Sequence, residues 1–180
     1  MVIYGVSFDL VGKQPIVLLK TAESNKFLPI WIGHPEAAAI LMKLQGESAP
    51  RPLTHDLLVN MLGELGIEVV RVTVTDLREN TFYASITIKQ NGSELEIDSR
   101  SSDAIAIAIR AQAPIYAADS VIEESAIEFE GDEVNEEEIV DEFKRFLDRV
   151  SAEDFAADEP EEGDELLELE LEDEDEPEPS

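Results

Sequence analysis

The chain matches itself at an offset of 67 residues, and that self-similarity limits its fold more than any other feature. Asp9-Leu10 aligns with Asp76-Leu77, Leu19 with Ile86, and Leu28 and Ile30 with Leu95 and Ile97. Glu36-Ala37 aligns with Asp103-Ala104, Ala39-Ile40 with Ala106-Ile107, and Lys43 with Arg110, all without a gap. Two acidic positions and one basic position recur inside a shared apolar frame, which favours duplication over chance apolar alternation. Each copy reads as strand, strand, strand, helix. In the first copy the strands are expected at 2–10, 15–21 and 27–32, from their β-branched and aromatic alternation, with a helix at 36–45. In the second they are expected at 68–76, 81–90 and 95–98, with a helix at 103–109. Glu79-Asn80 is read as a turn, and Asn91-Gly92 is a strong two-residue hairpin signal.

Residues 103–109 alternate Ala and Ile with period two, as a strand does. Alanine, however, is the best helix former and is depleted in strands. The corresponding 36–45 is plainly helical, so 103–109 is expected to be a helix buried on several sides, capped by Ser101 or Ser102. A further helix starts near Thr54, a good N-cap, and puts Leu57, Leu58, Met61, Leu62 and Leu65 on one face before Gly66 ends it. A short strand at 114–117, a helical turn at 119–124 and a last strand at 126–130 complete the domain. The expected class is α+β, mainly antiparallel sheet with packed helices.

Charge divides the chain. Residues 1–130 carry 18 acidic and 10 basic side chains, while 131–180 carry 24 acidic and 3 basic. Residues 131–157 read as an acidic amphipathic helix and 158–180 as a disordered acidic tail. With no cysteine there is no disulfide, thiolate metal site or cysteine nucleophile. No signal peptide or membrane-length apolar run is visible, so a cytoplasmic protein with no membrane partner is expected. A protein of this acidity repels phosphate backbones at long range, so action on nucleic acid requires a local basic group or a metal ion.

There is no Gly-rich phosphate loop, nucleophile elbow or helical His pair. The polar residues at element junctions remain. Asp98, Arg100, Ser102 and Asp103 straddle a strand–helix changeover: the carboxylates could hold Mg²⁺ or Mn²⁺ and Arg100 could clamp a phosphate, or the same residues could form a cap and an ion pair. Arg51, Thr54, His55 and Asp56 flank one helix start, where His55 could act as a general base or simply be an exposed histidine. Glu36, beside His34, is the repeat counterpart of Asp103. A pseudo-twofold could bring the two acids to one cleft; otherwise Glu36 is a first-turn acid following Pro35. Trp31, Phe82 and Tyr83 could stack on bases, although strand aromatics are more often core.

Several of these stretches carry a resemblance. Leu28-Pro-Ile-Trp-Ile-Gly33 with Glu36-Ala37, Arg51-Pro-Leu-Thr-His-Asp-Leu57, Thr81-Phe-Tyr-Ala84, and Asp98-Ser-Arg-Ser-Ser-Asp-Ala104 followed by Ala113-Pro-Ile-Tyr116 resemble the bifunctional nuclease domain family. The resemblance covers about residues 1–130. Ser101 stands where the family usually has proline, which changes turn rigidity and leaves the charged and hydroxyl groups in place. The resemblance implies a small α+β domain, often oligomeric, with nuclease activity toward DNA and RNA in some members. The expectation is therefore a nuclease, with His55, Asp56, Asp98 and Asp103 as catalytic candidates. Arg51, Arg100 and Ser102 are candidates for substrate binding, and Glu36, Asp98 and Asp103 for a divalent cation. The chain is expected to be a homo-oligomer, a dimer in the first instance. The alternative is a non-catalytic oligomeric module whose acidic tail engages a basic partner.

Overall fold

The structure, a computed structural model, describes residues 1–8 and 14–128. The first sheet is antiparallel and contains β1 (Val2–Phe8), β2 (Pro15–Lys20) and β3 (Lys26–Trp31) in sequence order. After it come α1 (His34–Leu44) and α2 (Thr54–Glu64). The second sheet contains β4 (Glu68–Arg78), β5 (Thr81–Gln90) and β6 (Ser93–Arg100), also antiparallel neighbours. The chain then runs through α3 (Ser101–Ala111), β7 (Ile115–Ala117), α4 (Asp119–Ser125) and β8 (Ile127–Glu128). β7 joins the second sheet parallel to β4, and β8 returns to the first sheet antiparallel to β3. The α+β class expected from sequence is what the structure shows. The helix and tail expected over 131–180 lie outside the described residues.

The two halves keep the 67-residue spacing. Shifted by that offset, α1 at 34–44 coincides with α3 at 101–111, and β1, β2 and β3 fall within β4, β5 and β6. Order and spacing agree with the sequence repeat; duplication as their origin remains a proposal. The halves differ in where the fourth strand is added, beside β3 in one sheet and beside β4 in the other.

Residues of both sheets meet in one core. Val17, Leu19, Leu28 and Ile30 join Val72, Val74, Ala84 and Ile86, together with residues of α3. Residues 104–108 of α3 are all buried, which explains the misleading alternation: a helix enclosed on every side has no polar face to reveal its 3.6-residue period. Its alanines permit close approach, and each buried isoleucine contributes about 1.5–3 kcal/mol. Gln112 ends the helix in the left-handed region, with φ 55°, and the Ala113 N–H returns to the Ala108 carbonyl at 3.0 Å. Glu79 and Asn80, and Asn91 and Gly92, all have positive φ, so both tight hairpins match the right-handed twist of their strands.

The helix starts differ from expectation. Thr54 is the first residue of α2, not its cap; Leu53 is the N-cap, and the Asp56 Oδ2 accepts the Leu53 N–H at 3.0 Å. Neither Ser101 nor Ser102 caps α3. Arg100, still paired with Tyr83 as the last residue of β6, is the N-cap, so the strand runs into the helix without a linker. The serines therefore lie inside the first turn, buried, and the Ser101 hydroxyl donates to the Phe82 carbonyl at 2.9 Å. Leu57, Leu58 and Met61 of α2, and Leu65 at its C-cap, are exposed. No described helix is long and apolar enough to cross a membrane.

Candidate functional site

Three helix starts converge because α3 packs against both α1 and α2. Glu36 is the third residue of α1, Asp103 the third residue of α3 and His55 the second residue of α2. An acid in the first turn complements the positive end of its helix, so both carboxylates suit their local positions before any contact forms.

Arg100 joins them. Its Nε donates to Asp103 Oδ2 at 2.7 Å, and its Nη2 donates to Glu36 Oε1 at 2.8 Å. The other Asp103 oxygen, Oδ1, accepts from His55 Nε2 at 2.9 Å. A continuous path thus runs from Glu36 through Arg100 and Asp103 to His55. The His55 and Glu36 side chains are 14% and 15% exposed, whereas Arg100 is 67% exposed and presents its guanidinium to solvent. Burial pushes the Asp103 carboxyl up, but hydrogen bonds from Arg100 and His55 and their charges outweigh it, so it titrates below the ordinary carboxylate value. The same bonds to Asp103 and Glu36 raise Arg100. At neutral pH the pair is ionised.

These residues line a cleft of about 830 Å³ that also takes in Thr54 and Asp98. Asp98 is an exposed part of its wall and makes no hydrogen bond or ion pair among the described residues. Arg51 is exposed three residues before α2 and does not line the cleft. His34 lies with its ring 6.4 Å from that of Phe8 and does not line it either.

Asp56 serves a different arrangement. Its Oδ1 accepts from Arg110 Nε at 2.6 Å while Oδ2 holds the Leu53 N–H. The Arg110 side chain is only 4% exposed, and its remaining nitrogens donate to the Ala106 and Ala39 carbonyls, each at 3.0 Å. One guanidinium therefore ties α1, α2 and α3 together. Burial raises the Asp56 carboxyl, but Arg110, the Leu53 N–H and the Lys43 charge hold it below its ordinary value. Asp56 does not line the cleft that contains its neighbour His55. The sequence signal for Arg110 is a guanidinium that follows the apolar run 104–109 at a position that repeats Lys43.

Among the described residues, no three or more His, Asp or Glu side chains are grouped so as to hold a metal ion. Glu36 and Asp103 meet only through Arg100, whose positive charge lies between them. This donor set does not fit a divalent cation unless Arg100 releases both carboxylates.

Gly33, the N-cap of α1, supports Glu36. Its φ of -71° suits any residue, but a Cβ there would collide with Glu36 Oε2, whose carboxylate folds back over the glycine. Gly33→Ala is expected to move Glu36 off Arg100. Because Arg100 is solvent-exposed, the stability cost is below about 1 kcal/mol. The Arg100 Nε–H resonance in a ¹H–¹⁵N spectrum should shift; an unchanged resonance means Glu36 can tolerate the methyl group.

The bifunctional nuclease domain profile matches residues 17–130. An uncharacterized protein of Mycobacterium tuberculosis is 41% identical over 162 residues, covering 86% of this chain and 96% of its own length. Bifunctional nuclease 1 of Oryza sativa subsp. indica is 30% identical over 110 residues, covering 59% of this chain and 33% of the plant protein. Bifunctional nuclease 1 of Arabidopsis thaliana is 28% identical over 106 residues, covering 57% of this chain and 33% of its own length. Every residue of the Glu36–Arg100–Asp103–His55 path lies inside the matched segment, and the chain belongs to the bifunctional nuclease domain family.

Proposed function

We propose that the chain hydrolyses phosphodiester bonds of DNA and RNA in the cleft where α1, α2 and α3 begin. The observation that supports this reading is one carboxylate, Asp103, holding a histidine on one oxygen and an arginine on the other. Asp103 fixes the tautomer of His55 and stabilises the imidazolium that forms when the ring takes a proton. Arg100 presents the rest of its guanidinium to an incoming phosphate and balances the charge that develops on the phosphoryl oxygens. In the reaction, His55 takes a proton from the attacking water as the water oxygen bonds to phosphorus. The bond from phosphorus to the leaving sugar oxygen breaks, that oxygen takes a proton from solvent, and His55 returns its own to solvent.

Asp56 has a positioning role in this reading: it holds the start of α2, and so His55, against α3. Arg51 is a candidate contact for a flanking phosphate, and Asp98 belongs to the cleft wall. A Mg²⁺ or Mn²⁺ ion on Glu36, Asp98 and Asp103 requires displacement of Arg100. The family and the names of the plant relatives support the reaction class; the cytoplasmic location expected from the sequence belongs to the same proposal.

The test is cleavage of end-labelled single-stranded DNA and RNA oligonucleotides by the full chain, with and without EDTA. Cleavage that survives EDTA supports the chemistry described. Cleavage abolished by EDTA and restored by Mg²⁺ replaces Arg100 with a cation as the phosphate's partner. No cleavage under any condition ends the hydrolase reading.

A second reading has its own observation. Leu57, Leu58, Met61 and Leu65 leave an apolar stripe of α2 exposed, which supports a homo-oligomer, a dimer first, and is compatible with a non-catalytic binding module. Sedimentation of the full chain tests it: a monomer at every concentration rules out the assembly.

A further inference from the structure

Arg100 lines a second cavity of about 370 Å³, and among the described residues it is the only one this cavity shares with the cleft. The two differ in charge. Glu36, Asp98 and Asp103 line the cleft, whereas no carboxylate among the described residues lines the second cavity. In a chain with 42 acidic and 13 basic side chains, a cavity whose described lining has one guanidinium, paired from the cleft side with Glu36 and Asp103, and no carboxylate is a better place for an anion than the cleft.

Its wall includes the start of α3. Arg100 is the N-cap in an extended conformation, and no side chain caps the helix, so the first-turn N–H groups lack a side-chain acceptor. Ser102 adds an independent observation. It is only 7% exposed, it lines this cavity, and its hydroxyl has no hydrogen-bond partner among the described residues. Nor is that hydroxyl one of the unpartnered atoms sealed inside the protein, so the cavity is where it opens. Open to the cavity and without a partner among the described residues, the hydroxyl is available to a ligand there. Partly buried Trp31 and Phe82 also line the cavity, together with the amides of Gln14 and Asn80.

We propose that this cavity binds a nucleoside monophosphate unit. The phosphate meets the Ser102 hydroxyl, the first N–H groups of α3 and the Arg100 guanidinium. The base packs against Trp31 and Phe82, where stacking tolerates any base, and the two amides serve its polar edge. This deepens the hydrolase reading and rests on it for the identity of the ligand: Arg100 connects the two cavities, so the bound unit is the nucleotide next to the scissile phosphate. Binding itself is measurable without turnover.

The experiment is isothermal titration of the full chain with AMP, adenosine and inorganic phosphate, on wild type, Ser102→Ala and Trp31→Leu, with each fold checked by circular dichroism. AMP is expected to bind more tightly than either fragment. Ser102→Ala is expected to weaken AMP about tenfold without lowering the melting temperature, since the hydroxyl has no protein partner to lose. Trp31→Leu should weaken AMP and adenosine and leave phosphate unchanged. The proposal is overturned if wild type does not bind AMP, if phosphate binds as tightly as AMP, or if Ser102→Ala binds AMP as wild type does. AMP binding without any oligonucleotide cleavage removes the hydrolase reading and keeps the site; cleavage without AMP binding does the reverse.

Discussion

Replacing His55 with alanine is expected to lower the rate of oligonucleotide cleavage by about 10²–10⁴-fold and to leave the fold in place. The size follows from the role: the imidazole takes the proton of the attacking water, and no other described side chain bonded to Asp103 can do so, because Arg100 stays protonated. The stability change is small because the loss of the ring leaves Asp103 still paired with Arg100. Cleavage kinetics at saturating substrate, with melting curves of both proteins, check the two halves of the expectation. Wild-type kinetics in His55→Ala would remove the proton-transfer role.

The second large effect is structural. Asp56→Ala is expected to destabilise the domain by about 3 kcal/mol, a fall in melting temperature of roughly 10 °C. Arg110 is 4% exposed, so without Asp56 its charge stays buried and uncompensated between α1 and α3. Acid should erase the difference between the two proteins. Asp56 has a folded pKa below its ordinary value of 3.8. Its contribution is therefore complete above that ordinary value and is lost as pH falls through the depressed folded value. Chemical denaturation of wild type and Asp56→Ala at pH 7 and at about pH 2–3 should show a gap that closes on acidification. A gap that persists in acid would mean that the carboxylate's charge is not what stabilises Arg110.

Much of the fold was legible in the sequence because it depends on local pattern. Alternation, Asn91-Gly92 and Glu79-Asn80 place the strands and hairpins of the second sheet. The correspondence of 36–45 with 103–109 identified α3 as a helix where its own period-two pattern pointed to a strand. The caps were less legible. Thr54 and Ser101 have the right chemistry for an N-cap, but the strand-to-helix junction at Arg100 moves the serines inside the turn and turns one toward Phe82. The site was half legible. Glu36 as the counterpart of Asp103 suggested a shared cleft, and the two acids do meet, through Arg100. Sequence spacing could not distinguish two carboxylates around a cation from two carboxylates around a guanidinium, because Arg100 reaches 64 residues back to Glu36. It also could not separate adjacent His55 and Asp56, which point into different arrangements from neighbouring positions on one helix turn. The second cavity depends on what is missing among the described residues, a partner for Ser102 and a carboxylate in the lining, and neither can be read from a linear sequence.

The most direct measurement compares two carboxamide variants, Asp103→Asn and Asp56→Asn, by single-turnover cleavage at a temperature where circular dichroism shows both folded. Asp103→Asn is expected to cut the rate at least about 100-fold, because the amide cannot hold His55 in its working tautomer and stabilise the imidazolium. Asp56→Asn is expected to melt earlier and to lose far less of the rate per folded molecule than Asp103→Asn, because the amide oxygen can still accept the Leu53 N–H at the start of α2. The opposite pattern, wild-type cleavage in Asp103→Asn with the rate lost in Asp56→Asn, would contradict a reaction centre built on Asp103.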